Sequence, residues 1–207
     1  MSPQAKEHWE KVYSSKATTE VSWFQEHAAL TLKLIRAAGV PKDAAIIDVG
    51  GGASTLVDDL LDSGYRNLSV LDLSAHALDA ARVRLGARAA QVRWLEADIL
   101  EAELAPQAYD VWHDRAVFHF LTDAEERHAY VRAVLRAVRP GGLVIVATFA
   151  EDGPEKCSGL PVMRYDADHL HAEFGAPFVL LGHEQEAHHT PGGGEQKFVY
   201  CFCRKVA

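Results

Sequence analysis

The chain has 207 residues, 48% of them hydrophobic and 24% charged, with a formal charge of −8. That balance excludes wholesale disorder and fits one domain over residues 1–207. The acidic excess leaves no wide basic surface for nucleic acid, and the most apolar run, Gly142–Phe149, is too short to span a bilayer.

In chain order, residues 5–38 read as helical material with a break around Ser14–Thr19. This opening is rich in aromatics: Trp9, Tyr13, Trp23 and Phe24. Ala28–Ala38 predicts a helix with Leu30, Leu34 and Ile35 inward, ended by Gly39. Ala45–Val49 reads as a buried strand, Ser54–Ser63 as a helix, Leu68–Leu71 as a strand and Ala75–Leu85 as a helix. Val92–Leu95 and Asp110–Trp112 belong to further strands. Ala124–Val138 is a strong helix stopped by Pro140-Gly141-Gly142, and Leu143–Thr148 is an apolar, central strand. Alternating strands and helices predict an α/β fold with a mainly parallel sheet covered on both faces. Pro154–Pro161 reads as a loop and Tyr165–Phe174 as a helix capped by Asp166. Phe178–Leu181 and Phe198–Phe202, joined across Pro191–Gly194, predict a C-terminal antiparallel hairpin.

Chemistry concentrates at three strand ends. Ile46–Thr55 reads IIDVGGGAST, and Gly50 and Gly52 there allow a tight turn and close approach of a ligand. A nicotinamide fingerprint would have a third glycine where Thr55 stands, and Asp48 would repel a pyrophosphate. The same carboxylate suits a ligand bearing an ammonium group, or holds the loop amides. Asp72 ends the second strand 22 residues after Gly50, the expected place for an acid that accepts ribose hydroxyls. After the third strand, Asp98 suits an exocyclic amine and Ile99 a ring face. Three acids at similar depth describe an adenosine-type ligand carrying positive charge.

These residues resemble the class I S-adenosylmethionine-dependent methyltransferases, well over residues 45–150 and more loosely over 5–205. The resemblance implies a Rossmann-like seven-stranded sheet with an antiparallel C-terminal strand and helices on both faces. It implies S-adenosyl-L-methionine as cofactor, held by Asp48, Gly50, Gly51, Gly52, Asp72, Leu73, Asp98, Ile99 and His113. Residues 1–40 become an N-terminal helical lid, with Trp23 over the cofactor. The opening residues Trp9–Tyr13 and Glu20–Phe24, with Gly64–Asn67 and Arg93–Asp98, also resemble the methyltransferases that act on lysines of metabolic enzymes and elongation factors. Arg115–Phe120 and the tail depart from that group.

Asp114, Arg115 and His119 are expected near the reacting centre, with His119 the better proton acceptor. A small-molecule methyl acceptor is expected, with a protein lysine as the rival. A donor-binding protein without catalysis and a nicotinamide-dependent reductase stand as other classes. His183, His188, His189, Cys157, Cys201 and Cys203 lack the spacing of a structural zinc site, so no metal is expected. An odd number of cysteines without an export signal predicts reduced thiols in a cytoplasm. The pattern leaves the oligomeric state open.

Overall fold

The computed structural model describes residues 3–206. Helix α1 (Pro3–Ser15) and α2 (Ala29–Ala37) precede strand β1 (Ala45–Val49). Then come α3 (Leu56–Asp62), β2 (Asn67–Asp72), α4 (Ala75–Leu85), β3 (Val92–Glu96), β4 (Tyr109–Arg115), α5 (Ala124–Ala137) and β5 (Val138–Phe149). A two-strand ribbon, β6 (Lys156–Cys157) with β7 (Leu160–Pro161), leads to α6 (Ala167–Phe174), β8 (Phe178–His189) and β9 (Glu195–Lys205).

The seven main strands lie in the order β3-β2-β1-β4-β5-β9-β8. β9 runs antiparallel to both β5 and β8, and the pairs from β3 to β5 are parallel. This is the mostly parallel, seven-stranded sheet with an antiparallel last strand that the sequence predicts. β1 is buried along its whole length because helices cover both faces. Leu32, Ile35, Leu56, Leu60 and Leu78 of α2, α3 and α4 pack on one face with Ile46. Tyr130, Val134, Leu170 and Phe174 of α5 and α6 pack on the other with Ile47 and Val49. From β1 the chain passes through α3 to β2 on one side, and β4 pairs on β1's other side, which opens a crevice at their carboxyl ends.

The caps follow side-chain chemistry. Ser74 accepts from the Ala77 amide at α4, and Asp166 accepts from the His169 amide at α6. Asp123 accepts from the Glu125 and Glu126 amides at α5.

Four expected boundaries move. Trp23 and Phe24 stand in irregular chain between α1 and α2 rather than in a helix. The predicted loop Pro154–Pro161 contains the β6–β7 ribbon. α5 ends at Ala137, and β5 starts at once because Val138 pairs with Tyr109, so the Pro140 turn lies inside the strand's paired span. β8 runs twelve residues, well beyond Leu181. Its outer half alternates half-buried and exposed polar residues at the sheet edge, a pattern that carries little apolar signal. No described helix is long and apolar enough to cross a membrane.

Candidate active site

The glycine loop is held by its neighbour strand. The amides of Gly50 and Gly51 both donate to the Leu71 carbonyl, at 2.7 and 3.2 Å. Gly50 has φ +68°, a conformation that favours glycine, and a Cβ there would strike the Val117 side chain. A Cβ on Gly51 would meet the Asp48 carboxylate, and one on Gly52 the Asp72 carboxylate. The glycines therefore let two acids lie directly against the loop.

Parallel pairing places Asp48 beside His113. Asp48 Oδ1 lies 2.7 Å from His113 Nδ1, and His113 Nε2 lies 3.1 Å from the Thr31 hydroxyl of α2. All three side chains are buried. Asp48 Oδ2 is also buried, with no protein partner. A buried carboxylate oxygen without a donor is costly unless a ligand supplies one. Asp72 Oδ1 accepts from the Ser74 amide at 2.8 Å. Burial pushes its pKa up to about 7, and the charges of Asp48 and Glu10 push the same way. Asp98 Oδ1 accepts from the Leu100 amide, and Ile99 is buried beside it.

Two adjoining hollows occupy the crevice. The larger, about 640 Å³, is lined by Asp72, Leu73, Asp98, Ile99, Val117 and Cys157, among others. The smaller, about 560 Å³, is lined by Thr31, Asp48, Gly51 and His113, among others. Tyr13, Trp23, Gly50 and Arg115 line both. α1 crosses over the top: Glu10 accepts from the Ala75 amide at 2.6 Å and pairs with His76. Trp9 packs edge-on against Trp23 and Phe120, with centroids 5.6 and 5.2 Å away. The stretch 16–28 is tied down at three places. Arg115 Nη1 donates to the Trp23 carbonyl at 3.2 Å, Thr55 Oγ1 to the Gln25 carbonyl at 2.9 Å, and His188 Nε2 lies 2.8 Å from the Ser22 carbonyl.

Residues 46–142 match the family model described as a methyltransferase domain. The chain has the fold of the S-adenosylmethionine-dependent methyltransferases. It is 25% identical over 157 residues to an EEF1A lysine methyltransferase 2 of Danio rerio, covering 69% of this chain and 67% of that protein. It is 26% identical over 121 residues to an eEF1A lysine and N-terminal methyltransferase of Mus musculus. That match covers 58% of this chain and 17% of the mouse protein, so the chain spans a small part of that relative. Among solved structures, it superposes with a TM-score of 0.68 at 17% identity on the Burkholderia thailandensis 1,6-didemethyltoxoflavin-N1-methyltransferase with bound 1,6-didemethyltoxoflavin and S-adenosylhomocysteine. That superposition covers 99% of this chain and 85% of the other.

Within this methyltransferase fold the sequence-predicted residues divide. Trp23, Asp48, Gly50, Gly51, Asp72, Leu73, Asp98, Ile99, His113 and Arg115 all line the crevice. Gly52 lines neither hollow; it makes room behind Asp72. Asp114 and His119 line neither hollow. Asp114 is fully buried and accepts from the Val117 and Phe118 amides and the Tyr130 hydroxyl, so it shapes the 116–120 turn. Burial raises its pKa to about 6 despite these donors. His119 is fully buried between Phe120 and Phe149, off both hollow walls. Burial, with a smaller push from Arg115, drops its pKa to about 3, so it is a neutral and weakly basic ring. His119 lines neither hollow and resists charging.

Arg115 and Asp114 do not pair. Arg115 donates to the Tyr200 hydroxyl and to Glu186, both at 3.0 Å, and its guanidinium stands 4.0 Å from the Phe198 ring centroid. Glu186 also accepts from Gln25 and Tyr200. Sequence reasoning missed Tyr200 and Thr31. Tyr200 lies on a strand that only sheet pairing brings to β4, so no local spacing announces it. Cys157, Cys201 and Cys203 are free, buried thiols. Among the described residues the histidines and cysteines considered for a metal form no group of three ligands; Glu151, Asp166 and His169 do, at the surface, where Asp166 already caps α6.

Proposed function

We propose that the chain transfers a methyl group from S-adenosylmethionine to a small-molecule nucleophile. The observation that carries this reading is the roofed crevice. Acceptor and donor would share hollows closed by α1 and the 16–28 stretch, which leave room for a compact acceptor. The relative that binds 1,6-didemethyltoxoflavin shares the whole fold. A bound donor supplies an electrophilic methyl group on a sulfonium.

The residues present fit such a donor. Asp72 would accept ribose hydroxyls and Asp98 an exocyclic amine, and Leu73 and Ile99 of the same hollow would pack on a ring. Asp48 Oδ2, buried and unpartnered, suits an ammonium group, with His113 and the Gly50–Gly52 loop fixing its place. Trp23, with Trp9 and Tyr13, walls the crevice; aromatic faces attract a sulfonium. The chain's contribution to rate is alignment of the two reactants and exclusion of water.

A second reading is a protein-lysine acceptor, favoured by the matches to lysine methyltransferases over as much as 69% of the chain. Incubation with methyl-labelled donor and a cell extract, then separation of small molecules from protein, decides between them. Label in the small-molecule fraction is expected. Label confined to protein lysines would replace this reading with the second.

A further inference from the structure

We infer that the methyl acceptor is a small molecule with a weakly acidic thiol or hydroxyl group, methylated as its anion. This rests on the methyl-transfer reading and narrows it to a substrate class.

The larger hollow is electrically two-ended. Asp72 and Asp98 close one end, after β2 and β3. Arg115 stands at the end of β4, two strands from β2 and three from β3, or about 10 and 14 Å at ordinary strand spacing. Adenosine would occupy the acidic end. At the Arg115 end the walls are Trp9, Trp23, Phe120 and Cys157. Tyr13 lies between, its phenol held protonated by burial, with Asp72 adding to that push. Arg115 is neutralised in part by Glu186. Its charge is still felt in the hollow: it opposes burial at the Cys157 thiol, which burial pushes up to about 12.

Among the described residues that line that end none is a free base, and the Glu186 carboxylate behind it is engaged by Arg115 and Tyr200. Tyr13 and Cys157 stay protonated, Arg115 is a cation, Asp114 is spent on the 116–120 turn and His119 lies off the wall. An ammonium acceptor would sit by a like charge with no group to deprotonate it. An acceptor that ionises before attack needs no base. Its anion is drawn by Arg115 and by the sulfonium, and the aromatic walls suit a flat apolar body. In the step, a lone pair on the acceptor sulfur or oxygen forms the bond to the methyl carbon. The donor S–CH3 bond breaks and its electron pair stays on the donor sulfur. A thioether or ether and a neutral sulfide leave, and no proton moves.

The test uses the full chain, S-adenosylmethionine and para-substituted thiophenols and phenols of graded acidity, with benzylamine and N-acetyl-lysine as amine probes. The expected result is a kcat/KM that rises with pH to a plateau whose inflection tracks each acceptor's own pKa. Amines should react at least tenfold more slowly. Arg115→Gln should lose at least tenfold in kcat/KM, and Arg115→Lys should recover part of it. Thiophenol and phenol arms tell sulfur from oxygen. An inflection fixed on the enzyme whatever the acceptor, or amines that outpace the acids, overturns the inference. Calorimetry with S-adenosylhomocysteine separates two failures. Tight binding without methylation of any acid overturns this inference alone, whereas no binding removes the methyl-transfer reading beneath it.

Discussion

Asp72 combines a ligand-facing position with an unfavourable burial. Its pKa near 7 and that of Asp114 near 6 stand above the ordinary 3.8, so between about pH 4 and 7 the folded chain holds more protons than the unfolded one. Stability from these two groups is present at low pH and declines as pH rises through that window. His119 acts in the opposite sense. Its depressed pKa makes the fold lose stability as pH falls below about 6.5. The difference between wild type and Asp72→Asn isolates the first effect. The variant's advantage in thermal midpoint, measured without ligand, should grow from pH 4 to pH 7 and level off above. A constant difference would mean that Asp72 is not held above its usual range. Asp48, Asp72 and the glycines were legible at this scale because turn chemistry and ligand chemistry are local. Which way Asp114 faces was not legible, because a strand-end acid looks the same in sequence whether it faces the crevice or caps a turn.

At the scale of elements, the N-terminal segment is fastened by pairs drawn from distant strands. Arg115 of β4, Glu186 of β8 and Tyr200 of β9 meet beneath the 16–28 stretch, with Gln25 bonded to Glu186 and Trp23 to Arg115. Removing one partner of a mostly buried ion pair leaves the other without compensation. Glu186→Ala should therefore lower stability by about 3 kcal/mol, read by urea denaturation. It should also speed proteolytic cleavage at Lys16 in the folded state. Unchanged protection would mean that the clasp does not hold the segment. The helices themselves were readable from periodicity and caps, as at Ser74 and Asp166. The irregular path of Trp23 and Phe24 was not, because their placement depends on partners more than 90 residues away.

For the whole molecule, the order of the sheet makes the last strand central. β9 pairs with β5 from Leu143 to Phe149 and with β8 from Phe178 to His189, so it fills the gap between them. A chain ended after His189 would leave β5 and β8 unpaired on those edges and expose Tyr200's and Phe198's packing partners. Such a truncation should lose cooperative unfolding and far-ultraviolet strand signal. A sharp thermal transition in that fragment would show that β9 is dispensable to the fold.

The alternation of strands and helices, the glycine loop, and the three acids at the ends of β1, β2 and β3 follow from amino-acid order alone. These depend on hydrophobic period, backbone conformation and chain order, all of which are local. Folding selects which side of β4 each residue presents. It set Asp114 into the turn, enclosed His119, and turned Arg115 to the crevice under Glu186. The physical reason is that the use of a polar side chain is fixed by the partners it meets when buried, and strand pairing chooses those partners across the whole length of the chain.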